Sequence, residues 1–298
     1  MRVMKSLFAA ALVVISPIAL AAQESVESTI AAHPAMWVVH TKSSTAYLLG
    51  SIHVLPSNVD WHSPELDAAI ASADTLVFEA PIDDSGVAAG QEFIRAHGTL
   101  PAGQSLPALL DAKTLADYQK AVALTRLPPD TLDHLRPWLA SVVLEVAFIQ
   151  QQHYSVESGV DRQVFAAAKT AGKTFRYFET VQQQLALLMP DKPKLELEEF
   201  DAQLKELQTE ADELGPLVDA WSHGDVGEVG RLVNSDLDSD PGAKKALLDD
   251  RNKAWVVQLR RMLAESHTYF ITVGAGHLVG PGGVPSLLRK AGYTVDGP

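Results

Sequence analysis

Two short phrases place a histidine where a strand-like run ends: Gly50-Ser51-Ile52-His53 closes "TAYLLGSIH", and Gly274-Ala275-Gly276-His277 follows "YFITV". A third apolar run, "TLVFEAP", carries Glu79 near its end. Two imidazoles and a carboxylate are a common ligand set for zinc, manganese or cobalt, with a position left open for water. Gly50 and Gly274, three residues before each histidine, let the backbone turn sharply or approach a ligand closely. Each residue also has a plainer reading alone. A histidine after a strand is often a satisfied polar group at a sheet edge, and Glu79 could face solvent or cap the next segment. The repetition of Gly-x-x-His in matching strand context favours the site.

A rival reading takes Gly274 to Gly280 as a loosened dinucleotide fingerprint, with Asp296 twenty residues past Gly276. Pro281-Gly282-Gly283 interrupts the helix whose N-terminus should hold the pyrophosphate, which weighs against it. There is no Gly-x-Ser-x-Gly elbow, no phosphate-binding loop and no His-Glu-x-x-His helix.

Composition narrows the classes further. The chain has 298 residues, 47% hydrophobic and 20% charged, which supports a large core. It contains no cysteine, so neither disulfides nor thiolate catalysis is available. The net charge is −13, and −15 without Arg2 and Lys5; such acidity opposes nonspecific nucleic-acid binding and anionic membranes. Arg2 and Lys5 precede an apolar stretch from Leu7 to Leu20, and Ala19-Leu20-Ala21 suits cleavage, so 1–21 reads as a signal peptide. Export to the periplasm or medium is therefore expected, with no lipid anchor and no membrane segment after signal removal.

These candidates need elements to position them. "MWVVHT" and "TAYLLGSIH", separated by Lys42-Ser43-Ser44, suit a hairpin. Ser63-Pro64-Glu65 starts a helix before "TLVFEAP". Helical patterns fill Gly86 to Gln151 and Val181 to Ser266, around a strand from Thr174 to Phe178 preceded by the helix stop Gly172. Strand "YFITV", a short helix from Val284 to Ala291 and "YTVD" close the chain. The expected fold is α/β, one domain over 22–298 with a central mixed sheet and large helical insertions. In such sheets ligands bind outside the carboxyl ends of the strands, where His53, Glu79 and His277 all fall.

In order along the chain, Gly50-Ser51-Ile52-His53, Phe78-Glu79-Ala80, Arg136-Pro137-Trp138, Gly159-Val160-Asp161, Glu179-Thr180-Val181 with "QQQLALL", Arg251-Asn252 and Gly274-Ala275-Gly276-His277-Leu278 resemble the TraB/GumN family, related to the Tiki metalloproteases. The similarity runs from about Met36 to Asp296. It implies an α/β fold like that of Tiki proteases, erythromycin-esterase-like and haem-binding ChaN-like proteins. It also implies that His53, Glu79 and His277 bind a divalent metal (manganese, cobalt or zinc) at a hydrolytic site, with Glu79 as ligand or general base. Arg136 is then a candidate to stabilise an oxyanion or clamp a substrate carboxylate, or else a partner of Asp161 or Glu179. Asp161 and Glu179 either orient the histidines or end a helix and a strand, and Arg251 and Asn252 support the site from a helix. Trp138 and Trp255 read as core. The function expected is an exported metallopeptidase acting on a peptide or protein. The alternatives are a haem- or metal-binding envelope protein, or a polysaccharide-related accessory protein.

Overall fold

Runs of apolar, β-favouring residues with no polar alternation mark strands covered on both faces. Such runs form the middle of the sheet: Thr75–Phe78 is buried at every position, and Thr268–Gly274 at all but its ends. The computed structural model of the protein describes residues 28–298 apart from 191, 210–213 and 239; the expected signal peptide, 1–21, lies outside the described residues.

The sheet strands are β1 (Met36–His40), β2 (Thr45–Ser51), β3 (Thr75–Phe78), β4 (Thr174–Tyr177), β5 (Thr268–Gly274) and β6 (Val295–Asp296). Their spatial order is β6-β1-β2-β5-β3-β4. β2, β5, β3 and β4 run parallel, whereas β1 is antiparallel to both of its neighbours, so the sheet is mixed. The hairpin expected around Lys42-Ser43-Ser44 joins β1 to β2.

Helix α1 (Pro64–Ser72) leads from β2 to β3. Ser63 caps it by accepting from the Leu66 N–H, and Pro64 occupies its first turn, where no N–H is needed. Between β3 and β4 lie α2 (Asp84–His97), α3 (Ala112–Thr125), α4 (Pro137–Gln151) and α5 (Val160–Thr170). α4 is apolar on nearly every side and is buried accordingly, packed against α3 and a helix of the second insertion. That insertion, between β4 and β5, comprises α6 (Val181–Ala186), α7 (Pro193–Thr209), α8 (Leu214–Ser222), α9 (Val226–Leu237) and α10 (Asp250–Met262). α11 (Val284–Lys290) then joins β5 to β6.

The connectivity decides where chemistry can collect. β2 and β5 are adjacent and parallel, yet the chain leaves β2 toward β3 and leaves β5 toward β6, in opposite directions across the sheet. In open α/β sheets ligands bind beyond the carboxyl ends of the parallel strands. Both Gly-x-x-His phrases begin there, with Ser51 in register with Gly274.

Candidate active site

His53 follows β2 by two residues, and its backbone is clamped by the start of α5. Val160 N–H donates to the Ile52 carbonyl at 3.1 Å. Gly159 permits that approach, because a Cβ there would lie 2.1 Å from the His53 carbonyl oxygen. The next residue on α5, Asp161, is buried, and its Oδ2 stands 2.6 Å from His53 Nδ1. The contact is close but poorly aligned as a hydrogen bond. Ser51 Oγ approaches the other ring nitrogen, Nε2, at 3.5 Å. Burial works against a proton on His53, but Asp161 and then Glu79 outweigh it, and the pKa is raised.

Glu79 comes one residue after β3 and is 5% exposed. Its Oε1 accepts the Gly274 N–H at 2.8 Å; its Oε2 accepts from Arg251 Nη2 at 2.7 Å and Gln184 Nε2 at 3.0 Å. Burial alone would raise the pKa of this carboxyl. Arg251, the two histidines and the Gly274 amide reverse that and hold it down at about 2. Glu79 is therefore a carboxylate at all ordinary pH values.

The parallel pairing of β3 with β4 continues past the strands, with Glu179 N–H donating to the Glu79 carbonyl at 2.8 Å, so Glu179 stands beside Glu79. Thr180 then caps α6 in a reciprocal box with Gln183, which fixes the phase of that helix and turns Gln184 inward to Glu79.

His277 lies in a single 3₁₀ turn, Ala275–His277, directly after β5. Asn252 Nδ2 donates to the Gly282 carbonyl, so its Oδ1 faces His277 Nδ1 at 2.6 Å and accepts that proton. The lone pair of His277 is thereby assigned to Nε2, which faces Glu79 Oε1 at 3.8 Å. Burial first, then Arg251, drives its pKa down to about 3, leaving a neutral ring.

Arg251 ties these groups together from α10. Its Nε and Nη2 donate to the two Glu179 oxygens at 2.8 and 2.9 Å, while Nη1 lies 3.1 Å from His277 Nε2. Trp255, one turn on, supports the guanidinium with its ring face 4.8 Å away, donates Nε1–H to Glu179 at 2.8 Å, and packs on the His277 ring. A π-helical turn, Lys245–Asp249, precedes α10 and supplies the Leu247 carbonyl as a further acceptor for Arg251 Nη1.

The structure thus brings together His53, Glu79, His277, Asp161, Glu179, Arg251 and Asn252. Arg136 is elsewhere. As the residue before Pro137 it starts α4, where Nη2 bonds the buried Glu196 at 2.7 Å and Nη1 reaches the His97 carbonyl at 3.3 Å. Its partner is neither Asp161 nor Glu179, and the cation within the cluster is Arg251. Trp138 is core as expected, whereas Trp255 is both buried and in contact with the site. A cavity of about 410 Å³ lined by Leu115, Tyr118, Val122 and Leu127 lies under α3 and includes none of the clustered residues.

The donor set matches a divalent ion in type and tautomer. His277 is neutral with Nε2 inward, Glu79 is ionised, and His53 has a carboxylate against its Nδ1, the arrangement usual for metal-ligating histidine. The charge balance points the same way: Glu79, Asp161 and Glu179 are three largely buried carboxylates, and Arg251 is their one permanent cation in this network. Gly274 leaves space between the donors, because a Cβ there would lie 3.2 Å from His53 Nε2 and 3.3 Å from Glu79 Oε1. Among the described residues, however, no three histidine or acidic side chains stand at metal-ligand spacing. At His277 the inward nitrogen, Nε2, is covered by Arg251 Nη1 at 3.1 Å.

The sequence that carries this cluster matches a known family. The TraB/PrgY/gumN profile matches residues 35–297, and the chain belongs to that family. Among its relatives are the uncharacterized protein YbaP of Shigella flexneri, 26% identical over 86% of this chain and 92% of that protein, and YbaP of Escherichia coli K12, 27% identical over 82% and 87%. An uncharacterized protein of Treponema pallidum is 23% identical over 85% of this chain and 80% of its own length. No solved structure matches the chain.

Proposed function

We propose that the protein is an exported, divalent-metal-dependent hydrolase that cleaves peptide bonds at the His53, Glu79 and His277 cluster. One observation carries this reading: two imidazoles and an ionised carboxylate face the gap beside Gly274 in a buried network with more carboxylates than cations. The peptide bond as substrate rests on the resemblance to Tiki-type proteins.

His53 Nε2, His277 Nε2 and a Glu79 oxygen would hold the ion, which when bound supplies Lewis-acid activation of water and of a scissile carbonyl. The chain's own residues prepare that chemistry. Asn252 keeps the His277 lone pair inward, and Asp161 keeps the His53 proton at Nδ1. Arg251 and the Gly274 amide keep Glu79 ionised, which makes Glu79 a ligand and a poor general base. Arg251, rather than Arg136, is the guanidinium placed to meet negative charge developing near Glu79.

The test is hydrolysis of a peptide library by the mature chain, 22–298, with manganese, cobalt or zinc, against EDTA. Turnover that needs metal and disappears in His53→Ala and His277→Ala, both still folded by circular dichroism, is the expected result. Turnover unaffected by EDTA and by either variant would overturn the proposal.

A further inference from the structure

We infer that Arg251 is a built-in competitor for the metal: it occupies the cluster as an internal cation and must give up His277 Nε2 when an ion binds. This rests on the metal-dependent reading above and adds a control on its occupancy.

The contacts of Arg251 divide into two sets. One anchors it: Nε and Nη2 grip Glu179 at 2.8 and 2.9 Å, and the guanidinium lies on Trp255, which itself donates to Glu179. The other reaches into the cluster: Nη2 to Glu79 Oε2 at 2.7 Å, and Nη1 to His277 Nε2 at 3.1 Å. His277 has a single lone pair, because Nδ1 is committed to Asn252. An arginine N–H and a cation cannot both use it.

Electrostatics make the exclusion stronger. Arg251 is always protonated, its side chain is 10% exposed, and a second cation at the same carboxylate meets its full charge with little screening. The anchoring contacts do not involve His277, so release of that nitrogen leaves Glu179 and Trp255 in place. The guanidinium partly neutralises the acids of the network in the absence of an ion, and this keeps the buried carboxylates paired.

Titration calorimetry with manganese chloride on the mature chain, Arg251→Lys and Arg251→Gln tests the inference, alongside thermal melts with EDTA or manganese. Gln removes the charge and the fork; Lys keeps the charge but cannot span Glu179 and His277 at once. Removing the competitor is expected to tighten manganese binding about ten-fold or more in Arg251→Gln, with Lys between it and the parent. Both variants should melt lower than the parent in EDTA and gain more from manganese. If Arg251→Gln fails to fold, Arg251→Lys alone decides, by tighter binding than the parent. Equal or weaker binding in the folded variants, with a parent that binds, overturns the competitor role and leaves the metal reading standing. No manganese binding by any of the three overturns both.

Discussion

Gly274→Ala separates the fold from the site. The backbone of Gly274, at φ −49° and ψ 135°, is one that alanine adopts freely, and its N–H to Glu79 survives the change. Loss of unfolded-state freedom stabilises a Gly→Ala exchange at such a position by about 0.4–1 kcal/mol. The added methyl meets His53 Nε2 at 3.2 Å, Glu79 Oε1 at 3.3 Å and His277 Cδ2 at 3.7 Å, so its neighbours must yield by a few tenths of an ångström. Overpacking of that size costs about 1–3 kcal/mol, and the net loss of stability should stay within about 2.6 kcal/mol. The same methyl fills the space between the donors. Manganese binding should therefore weaken about 100-fold or more, equivalent to about 2.7 kcal/mol. Urea denaturation and titration calorimetry on one preparation give both numbers. Parent-like manganese affinity in a folded Gly274→Ala protein would refute the placement of the ligand beside Gly274.

Other expectations concern the groups around that gap. Gly159→Ala places a methyl 2.1 Å from the His53 carbonyl, so backbone must move; the loss should be about 3 kcal/mol by urea denaturation, and a cost below about 1 kcal/mol would contradict the clamp. Stability of the metal-free protein should fall in acid. His277, pushed down to about 3 from 6.5, contributes stability that is present above pH 6.5 and lost as pH falls toward 3; Glu79, held at about 2 against 4.5, adds the same trend below pH 4.5. The raised pKa of His53 acts at higher pH, its contribution being full below 6.5 and lost as pH rises through the folded value. The unfolding free energy from urea denaturation should thus fall by about 1.4 kcal/mol per pH unit as pH drops from 6.5 to 4.5, and His277→Asn should flatten that interval. Arg136→Ala should cost about 2–3 kcal/mol by removing the cation paired with the buried Glu196, which keeps the Trp138 N–H, yet change manganese affinity less than about two-fold; a large loss of binding would return Arg136 to the site.

The sheet was legible because its central strands are buried on both faces and so appear as unbroken apolar runs, each followed by a polar residue with few places to go. Serine before proline at 63–64 and Gly172, which takes φ +67°, marked helix ends for the same kind of local reason. The choice between the two arginines was not local. "RPW" reads as a motif, but Pro137 makes Arg136 the N-cap of a buried helix, and its side chain pairs with Glu196, 60 residues away. Arg251 lies within an ordinary helical pattern. Its common face with Trp255, one turn on, was a readable signal, whereas the π-helical turn that precedes it leaves no mark in the apolar periodicity. Gln184 was hidden in a glutamine run, although the Thr180-x-x-Gln183 capping box fixes the helix phase and places Gln184 on the buried face with Val181 and Leu185. Charge states lay beyond sequence altogether, since Arg251 keeps Glu79 ionised against its burial, while burial and Arg251 together keep His277 neutral.

The most direct measurement is metal content by mass spectrometry of the protein comprising residues 22–298 after reconstitution with manganese, cobalt and zinc, beside His53→Ala, Glu79→Ala and His277→Ala. Near-stoichiometric metal in the parent that is lost in all three folded variants is the result expected of a shared site. A parent that retains no metal under any of these conditions would contradict it.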